Sequence, residues 1–445
     1  MVPDLSLTEL LRLDAVTLLL LALVLLVALA VLPYAHRSLR GDRHGASVTA
    51  ALALVFVASA ALVVLAPLPA QAIAWSTATL GVIAALGLGG GASATRRPAT
   101  WLIASDVLVW AAVIVGPGTA AAILLVGAAI IRAAGVPAHG WLLDALRAPT
   151  PVSAALHGGV VNGGAILLIL QLPDMNAGAA PLIVAAAFGA LAIVVGGAGL
   201  AARPDIKGKL VLSTVAQLGF TLLCIGLGLT VAALLHLVAH GWYKSSRFLS
   251  SGDGVDRRAR ERRAPASHRR VLPRAGTPLG ATVAAVAVVA GVLVAYPGAV
   301  SLGGAVITLM IGLAFATAAG RLVAHAVTTG EALTRLAASA ALSFAAALAL
   351  GSLTRMLGPA LGAPLATPAA SVALALAAAL AVLLLAVLRR TAAGASFERA
   401  ALAAALALGA APRTRLAQSR TRATTTAPSI SSATQPTTHR QEVAA

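Results

Sequence analysis

The sequence predicts an all-α fold, a polytopic bundle of about thirteen transmembrane helices with at least one helix broken inside the membrane. Three observations predict it. Apolar runs recur at the length a bilayer demands, about 20 residues at 1.5 Å each across roughly 30 Å of hydrocarbon. Of 445 residues, 59% are hydrophobic and only 10% charged, with a mean hydropathy of +0.94. The basic residues lie in short segments between the runs, at every second connection. That is the positive-inside pattern of a membrane protein.

The runs fall at 15–34, 46–66, 71–89, 101–115, 118–147, 152–171, 179–201, 209–229, 231–250, 277–296, 302–323, 333–353 and 366–388. Ala, Leu, Val and Gly dominate and aromatics are 3%, which suits close helix packing. The segment Met1–Asp14 carries acids and no basic stretch, so it does not read as a cleavable signal peptide and the first run is expected to remain a span. The fifth run is too long for one straight span. Gly135 and Pro137 interrupt it, and a proline removes a helix hydrogen bond, so a broken helix is expected there. Pro149-Thr150-Pro151 then forces a turn into the sixth run.

Charge fixes the orientation. With the N-terminus outside, the cytoplasmic connections carry His36-Arg37-Arg40-Arg43, Arg96-Arg97, Arg147, Arg203-Lys207-Lys209, the basic 257–274 segment, Arg321–Arg335 and Arg389-Arg390. The opposite connections hold little charge beyond Asp174 and Arg355. A net charge of +18 placed this way excludes a nucleic-acid role and points to contact with membrane lipid. The single Cys224 lies in an apolar run, so neither a disulfide framework nor a cysteine-rich metal site is expected. The chain divides into N-terminal helices (1–130), a core (131–252), a basic cytoplasmic loop (253–275), C-terminal helices (276–390) and a Ser/Thr/Arg-rich tail (391–445) that reads as mostly disordered and cytoplasmic. No redox-cofactor motif, phosphate loop or nucleophile elbow appears, so no catalytic residue, metal or cofactor is assigned to this chain.

Ionisable groups within a span are functional candidates, since each costs about 2.5–3.5 kcal/mol at a helix centre. His236, His240 and Lys244 recur at i, i+4 and i+8, on one helical face. Histidine titrates near neutrality and desolvation favours the neutral form of lysine, so such a row can hand protons along. The structural alternative has Lys244 snorkelling and the histidines bonding neighbouring helices. Three aligned groups favour the row. His157, in the sixth run, joins them as a candidate; Asp144 reads as an interfacial residue and Asp106 as the sole intramembrane carboxylate upstream.

Two motifs carry a family resemblance over roughly 130–252. The first runs from Arg132 through His139-Gly-Trp-Leu-Leu-Asp144-Ala and Pro149-Thr-Pro-Val-Ser-Ala to His157. The second is Asp205-Ile-Lys-Gly-Lys-Leu-Val-Leu-Ser-Thr-Val-Ala-Gln-Leu-Gly-Phe220, followed by His236-Leu-Val-Ala-His240-Gly-Trp-Tyr-Lys244. Both resemble the signatures of antiporter-like proton-translocating subunits of respiratory complex I and of multisubunit cation/proton antiporters. In detail they resemble the membrane subunit of DAB-type inorganic-carbon complexes. The resemblance implies a proton path through His157, His236, His240 and Lys244, and a soluble zinc-containing partner related to carbonic anhydrases. The alternative it leaves open is a subunit of an NADH:quinone oxidoreductase or a cation/proton antiporter. One departure is clear: Arg132 stands where the family has a channel lysine. An arginine holds its proton, so Arg132, with Asp106 and Asp144, is expected to tune the field rather than relay.

Overall fold

In a computed structural model, residues 7–251 apart from 204, and 276–388 apart from 296–301, 325, 327 and 362–364, are described. The basic loop 253–275 and the tail from 404 onward lie outside the described residues. Short helix α1 (Leu7–Leu10) leads into α2 (Ala15–Ser38), α3 (Gly45–Val64), α4 (Leu68–Gly90), α5 (Ala92–Val115) and α6 (Thr119–Arg132). Next come α7 (Gly140–Asp144), α8 (Thr150–Gly158) and α9 (Gly163–Gln171), then α10 (Ala179–Ala202), α11 (Ile206–Gly226) and α12 (Thr230–Leu249). The C-terminal set is α13 (Gly276–Ala295), α14 (Leu302–Ala324), α15 (Thr329–Leu357) and α16 (Ala369–Leu388). No strand occurs among the described residues. Among the described residues, eight helical segments are long and apolar enough to cross a membrane, and the protein is multi-pass. α12 is not one of the eight, because its histidines, Lys244 and Arg247 interrupt its apolar face.

Helix α6 stops at Arg132, and 133–139 is the irregular break expected at Gly135 and Pro137. Ala134 takes a left-handed φ of 53°, and the Val136–Pro137 bond is cis. Carbonyls freed by a break must be met inside a membrane. The Gly135 amide donates to the Ile130 carbonyl at 2.8 Å, and the Trp141 indole Nε1–H donates to the Ile131 carbonyl at 2.9 Å. Trp141→Phe removes that donor and leaves the Ile131 carbonyl with the Ala134 amide alone, at 3.0 Å. The expected loss is about 0.5–1.5 kcal/mol, the net worth of one hydrogen bond, read as a lower unfolding midpoint in detergent.

Two expectations need correction. Arg96 and Arg97 do not lie in a connection; α5 starts at Ala92 and carries them, where Arg97 meets Asp144 at 3.3 Å. The sixth run is not one helix either. After Gly158 the chain tightens into a 3₁₀ turn, Val160–Asn162, before α9 resumes. The glycines at 158, 159, 163 and 164 relax the α-helical preference there. Pro149 and Pro151 do frame the start of α8.

This twice-interrupted segment is the centre of the bundle. Thr150–Met175 is 94% buried over its apolar window, against 22% for Thr329–Leu361 on the periphery. Around it pack α2, α3, α6, α11 and α12. At the α8–α12 crossing the two backbones meet through Gly158 and Gly241: a Cβ on Gly241 would fall 2.7 Å from the Gly158 carbonyl oxygen. Backbone lies on the far side, so nothing yields cheaply. Gly241→Ala is therefore expected to cost about 1–3 kcal/mol and to separate α12 from α8, lowering the thermal midpoint. At the start of α11, burial opposes the charge of Asp205, but the Gly208 amide at 2.6 Å and Arg203 at 2.8 Å hold its carboxyl below the usual range. That contribution is present at neutral pH and is lost as pH falls through the lowered value.

Candidate proton pathway

Helix α12 presents one buried face to α8 and α11. On it Lys244 is 1% exposed and His240 3%, with His236 half-buried one turn before. The His236 and His240 rings lie 5.9 Å apart between centroids, and Phe220 of α11 meets His236 edge-on at 4.9 Å. Neither ring nitrogen of His240, nor Nε2 of His236, makes a well-formed hydrogen bond to protein, although the His157 backbone lies within electrostatic reach of His240. Burying such groups dry is costly, so each is suited to exchange protons with water entering the row.

Lys244 does not snorkel. Its Nζ donates to the Leu210 carbonyl at 3.1 Å and to Ser213 Oγ, both on α11. Thr214, on the same turn, donates its hydroxyl to that same Leu210 carbonyl at 2.9 Å. Thr214 Oγ1 also lies 3.0 Å from Nδ1 of His157, whose ring stacks on Phe248 of α12 at 4.2 Å. A turn of α11 thus joins Lys244 and His157, the two groups nominated from different runs. Asn162 lies beside this junction, fully buried, donating to the Gly158 carbonyl at 2.9 Å with Oδ1 unpartnered.

A second polar centre forms between α4, α5 and α6. Arg132, 1% exposed, meets Asp106 at 3.5 Å and donates to the Trp75 carbonyl at 3.2 Å. Its guanidinium lies 3.9 Å from the Trp75 ring centroid, a cation–π contact. Thr79 donates to the same Asp106 oxygen at 2.8 Å. The structure therefore pairs Arg132 with Asp106, while Asp144 pairs instead with Arg97 near the surface.

Sequence reasoning missed Ser213, Thr214, Asn162, Trp75 and Thr79. A signal existed for two of them: Ser213, Thr214, Gln217 and Thr221 fall at i, i+1, i+4 and i+8, a polar stripe on an apolar helix. Trp75 and Thr79 lie far from Arg132 in sequence and carried no such mark. Among the described residues no group of three or more His, Cys, Asp or Glu side chains is placed to hold a metal ion.

Comparison with known proteins bears on the fold and on the family resemblance. The family described as NADH:quinone oxidoreductase/Mrp antiporter, transmembrane, matches residues 116–334. Those residues, just under half of the chain, are similar to that family. Over 136 residues the chain is 46% identical to a probable inorganic carbon transporter subunit DabB2 of Halothiobacillus neapolitanus, covering 31% of this chain and 25% of the relative. A DabB counterpart in Bacillus anthracis is 29% identical over 274 residues, covering 55% of this chain and 54% of the relative. Subunit 5 of the chloroplast NAD(P)H-quinone oxidoreductase of Lemna minor is 37% identical over 135 residues, covering 30% of this chain and 18% of the relative. The matched part of the chain spans from about a fifth to about half of the length of these relatives. A chain of the Mrp complex from Dietzia sp. shares the fold, with a TM-score of 0.56 and 23% identity over 96% of this chain and 57% of that one.

Proposed function

We propose that this antiporter-like chain is the energy-coupling membrane subunit of an inorganic-carbon uptake complex. Protons, or sodium ions in their place, pass along His236, His240 and Lys244 of α12 and His157 of α8, while Arg132, Asp106 and Asp144 shape the field. The observation that carries the proton reading is the buried junction at Leu210, where Lys244 and Thr214 share one acceptor and Thr214 meets His157. Among the described residues no carboxylate pairs with Lys244, so a lysine held this way has polar company without a fixed counter-charge. Similarity favours carbon over respiration: relatives named as probable inorganic carbon transporter subunits reach 46% and 40% identity over about 136 residues, against 38% for quinone oxidoreductase subunits over a like span.

On this reading the carbon chemistry belongs to a soluble zinc-containing partner related to carbonic anhydrases, which hydrates CO2 on the cytoplasmic side. The chain sits in the cell inner membrane with its N-terminus outside and its tail in the cytoplasm. Purification of the chain in mild detergent from its native host tests this directly. A stoichiometric zinc-containing soluble subunit is expected. Co-purifying flavin and iron–sulfur subunits would instead support the respiratory alternative.

A further inference from the structure

We propose that the open side of α12, formed by Trp242, Tyr243 and Arg247, is the docking surface for a membrane-spanning helix of a different protein chain, one that brings a carboxylate to Arg247. The face is turned away from the bundle, whereas Lys244 is turned into it, so the surface is separate from the proton path.

Trp242, Tyr243, Ser246 and Arg247 are exposed, while Lys244, Ser245 and Phe248 on the other side of the helix are buried. Trp242 and Tyr243 are 50% and 51% exposed. Ser246 donates its hydroxyl to the Tyr243 carbonyl of its own helix at 2.8 Å. The indole N–H of Trp242, the hydroxyl of Tyr243 and the guanidinium of Arg247 make no hydrogen bond or ion pair with any described residue.

Their depth decides what can meet them. A Cβ on Gly241 would fall 3.2 Å from Leu23 Cδ1 of α2. Leu23 lies near the middle of the apolar run 15–34, so Gly241 lies near mid-membrane. At 1.5 Å per residue, Trp242 and Tyr243 follow within about 3 Å and Arg247 about 9 Å on, inside a half-thickness of about 15 Å. Arg247 is long enough to snorkel to a lipid phosphate. The Trp242 N–H and Tyr243 hydroxyl lie too deep for that, and hydrocarbon offers them no acceptor. Exposed positions on other spans are apolar, such as Leu29 and Ile114. Trp110, exposed on α5, has its indole N–H bonded to Ser76 at 3.1 Å.

Charge selects the occupant. A cation within a span is paired or faces water, and a guanidinium is best met by a carboxylate. Among the described residues the carboxylates carried on spanning helices are Asp106 and Glu331, and these are paired with Arg132 and Arg335. A second copy of this chain therefore offers no free counter-charge. The segment 253–275, next in sequence, has three acids against eight arginines, so its net charge repels Arg247. The occupant that fits is a helix of another membrane chain, with Asp or Glu level with Arg247 and acceptors for Trp242 and Tyr243. Polar contacts of this kind join membrane helices where apolar burial cannot, since lipid tails are as apolar as leucine.

The test is photo-cross-linking in native membranes, with the full-length chain carrying p-benzoylphenylalanine in place of Tyr243. The expected adduct is a peptide from a spanning segment of a different chain, with Asp or Glu within one helical turn of the joined residue. Arg247→Gln is expected to lower its yield about tenfold, the scale of one charge-assisted hydrogen bond, and Arg247→Lys to keep most of it. Exchanging the charges, Arg247→Asp with the mapped acid changed to arginine, is expected to restore the yield. Adducts confined to phospholipid, to segment 253–275 or to a second copy of this chain would overturn the proposal. So would a joined peptide without the acid, or full yield in Arg247→Gln. Should the label at 243 prevent assembly, the same label at Trp242 decides by the same outcomes, and no adduct at either position overturns the proposal. Neither proton flux nor inorganic carbon enters the readout, so its result is independent of the proton path and of the carbon reading.

Discussion

Lys244→Met is expected to reduce proton flux at least about a hundredfold in reconstituted vesicles, the scale of losing a positioned acid–base group. Folding stability is expected to hold or rise. Methionine fills nearly the same volume, and it removes an ammonium whose place within a span costs about 2.5–3.5 kcal/mol. The Leu210 carbonyl keeps Thr214 and Ser213 as donors, so no acceptor is stranded. The divergence of the two readouts separates a functional lysine from a structural one. A snorkelling or merely bridging lysine would lose stability and flux together, or neither. Flux in vesicles and the thermal midpoint of the same preparation check this.

Asp106→Asn is expected to do the opposite, with a large loss of stability of about 3 kcal/mol. It removes the carboxylate from a guanidinium whose side chain is 2% exposed and whose other contacts are the Trp75 ring and carbonyl. An uncompensated buried charge is what makes single removal costly. Replacing both members, as Arg132→Met with Asp106→Leu, is expected to recover most of that loss, within about 1 kcal/mol of wild type. Arg132→Lys keeps the charge and the pair but gives up the flat guanidinium against Trp75, and should lose about 0.5–1 kcal/mol. Thermal unfolding of wild type, Asp106→Leu, Arg132→Met and the double variant gives the coupling energy as a double-mutant cycle.

Much of this was legible in sequence because the membrane enforces simple rules. A helix must supply its own hydrogen bonds across roughly 30 Å, so most of the apolar runs fall on helices, although eight segments among the described residues, not thirteen, are long and apolar enough to span. Gly135 and Pro137 mark a break because they remove what a helix needs, and the structure leaves its helix at Arg132, just ahead of them. The His236, His240 and Lys244 face follows from a period of 3.6 alone. The pairing of Arg132 with Asp106 was legible only by elimination, as the one carboxylate upstream within a run. What stayed hidden has a common cause. The Leu210 carbonyl is a backbone atom that any residue supplies, so nothing in the sequence marks it as the hub between Lys244 and Thr214. Trp75 reaches Arg132 from another helix, by packing that periodicity does not encode. The start of α5 was misread because Arg96, Arg97 and Pro98 look like a loop, whereas a helix that extends past the hydrocarbon tolerates all three.

The most direct measurement is inorganic-carbon accumulation by sealed vesicles holding this chain with its co-purified partner, under an imposed proton gradient. Accumulation is expected to follow the gradient, to collapse with a protonophore, and to vanish in Lys244→Met while the partner still binds. Accumulation that persists in Lys244→Met, or that ignores the gradient, would contradict a proton path through this lysine as the source of the driving force.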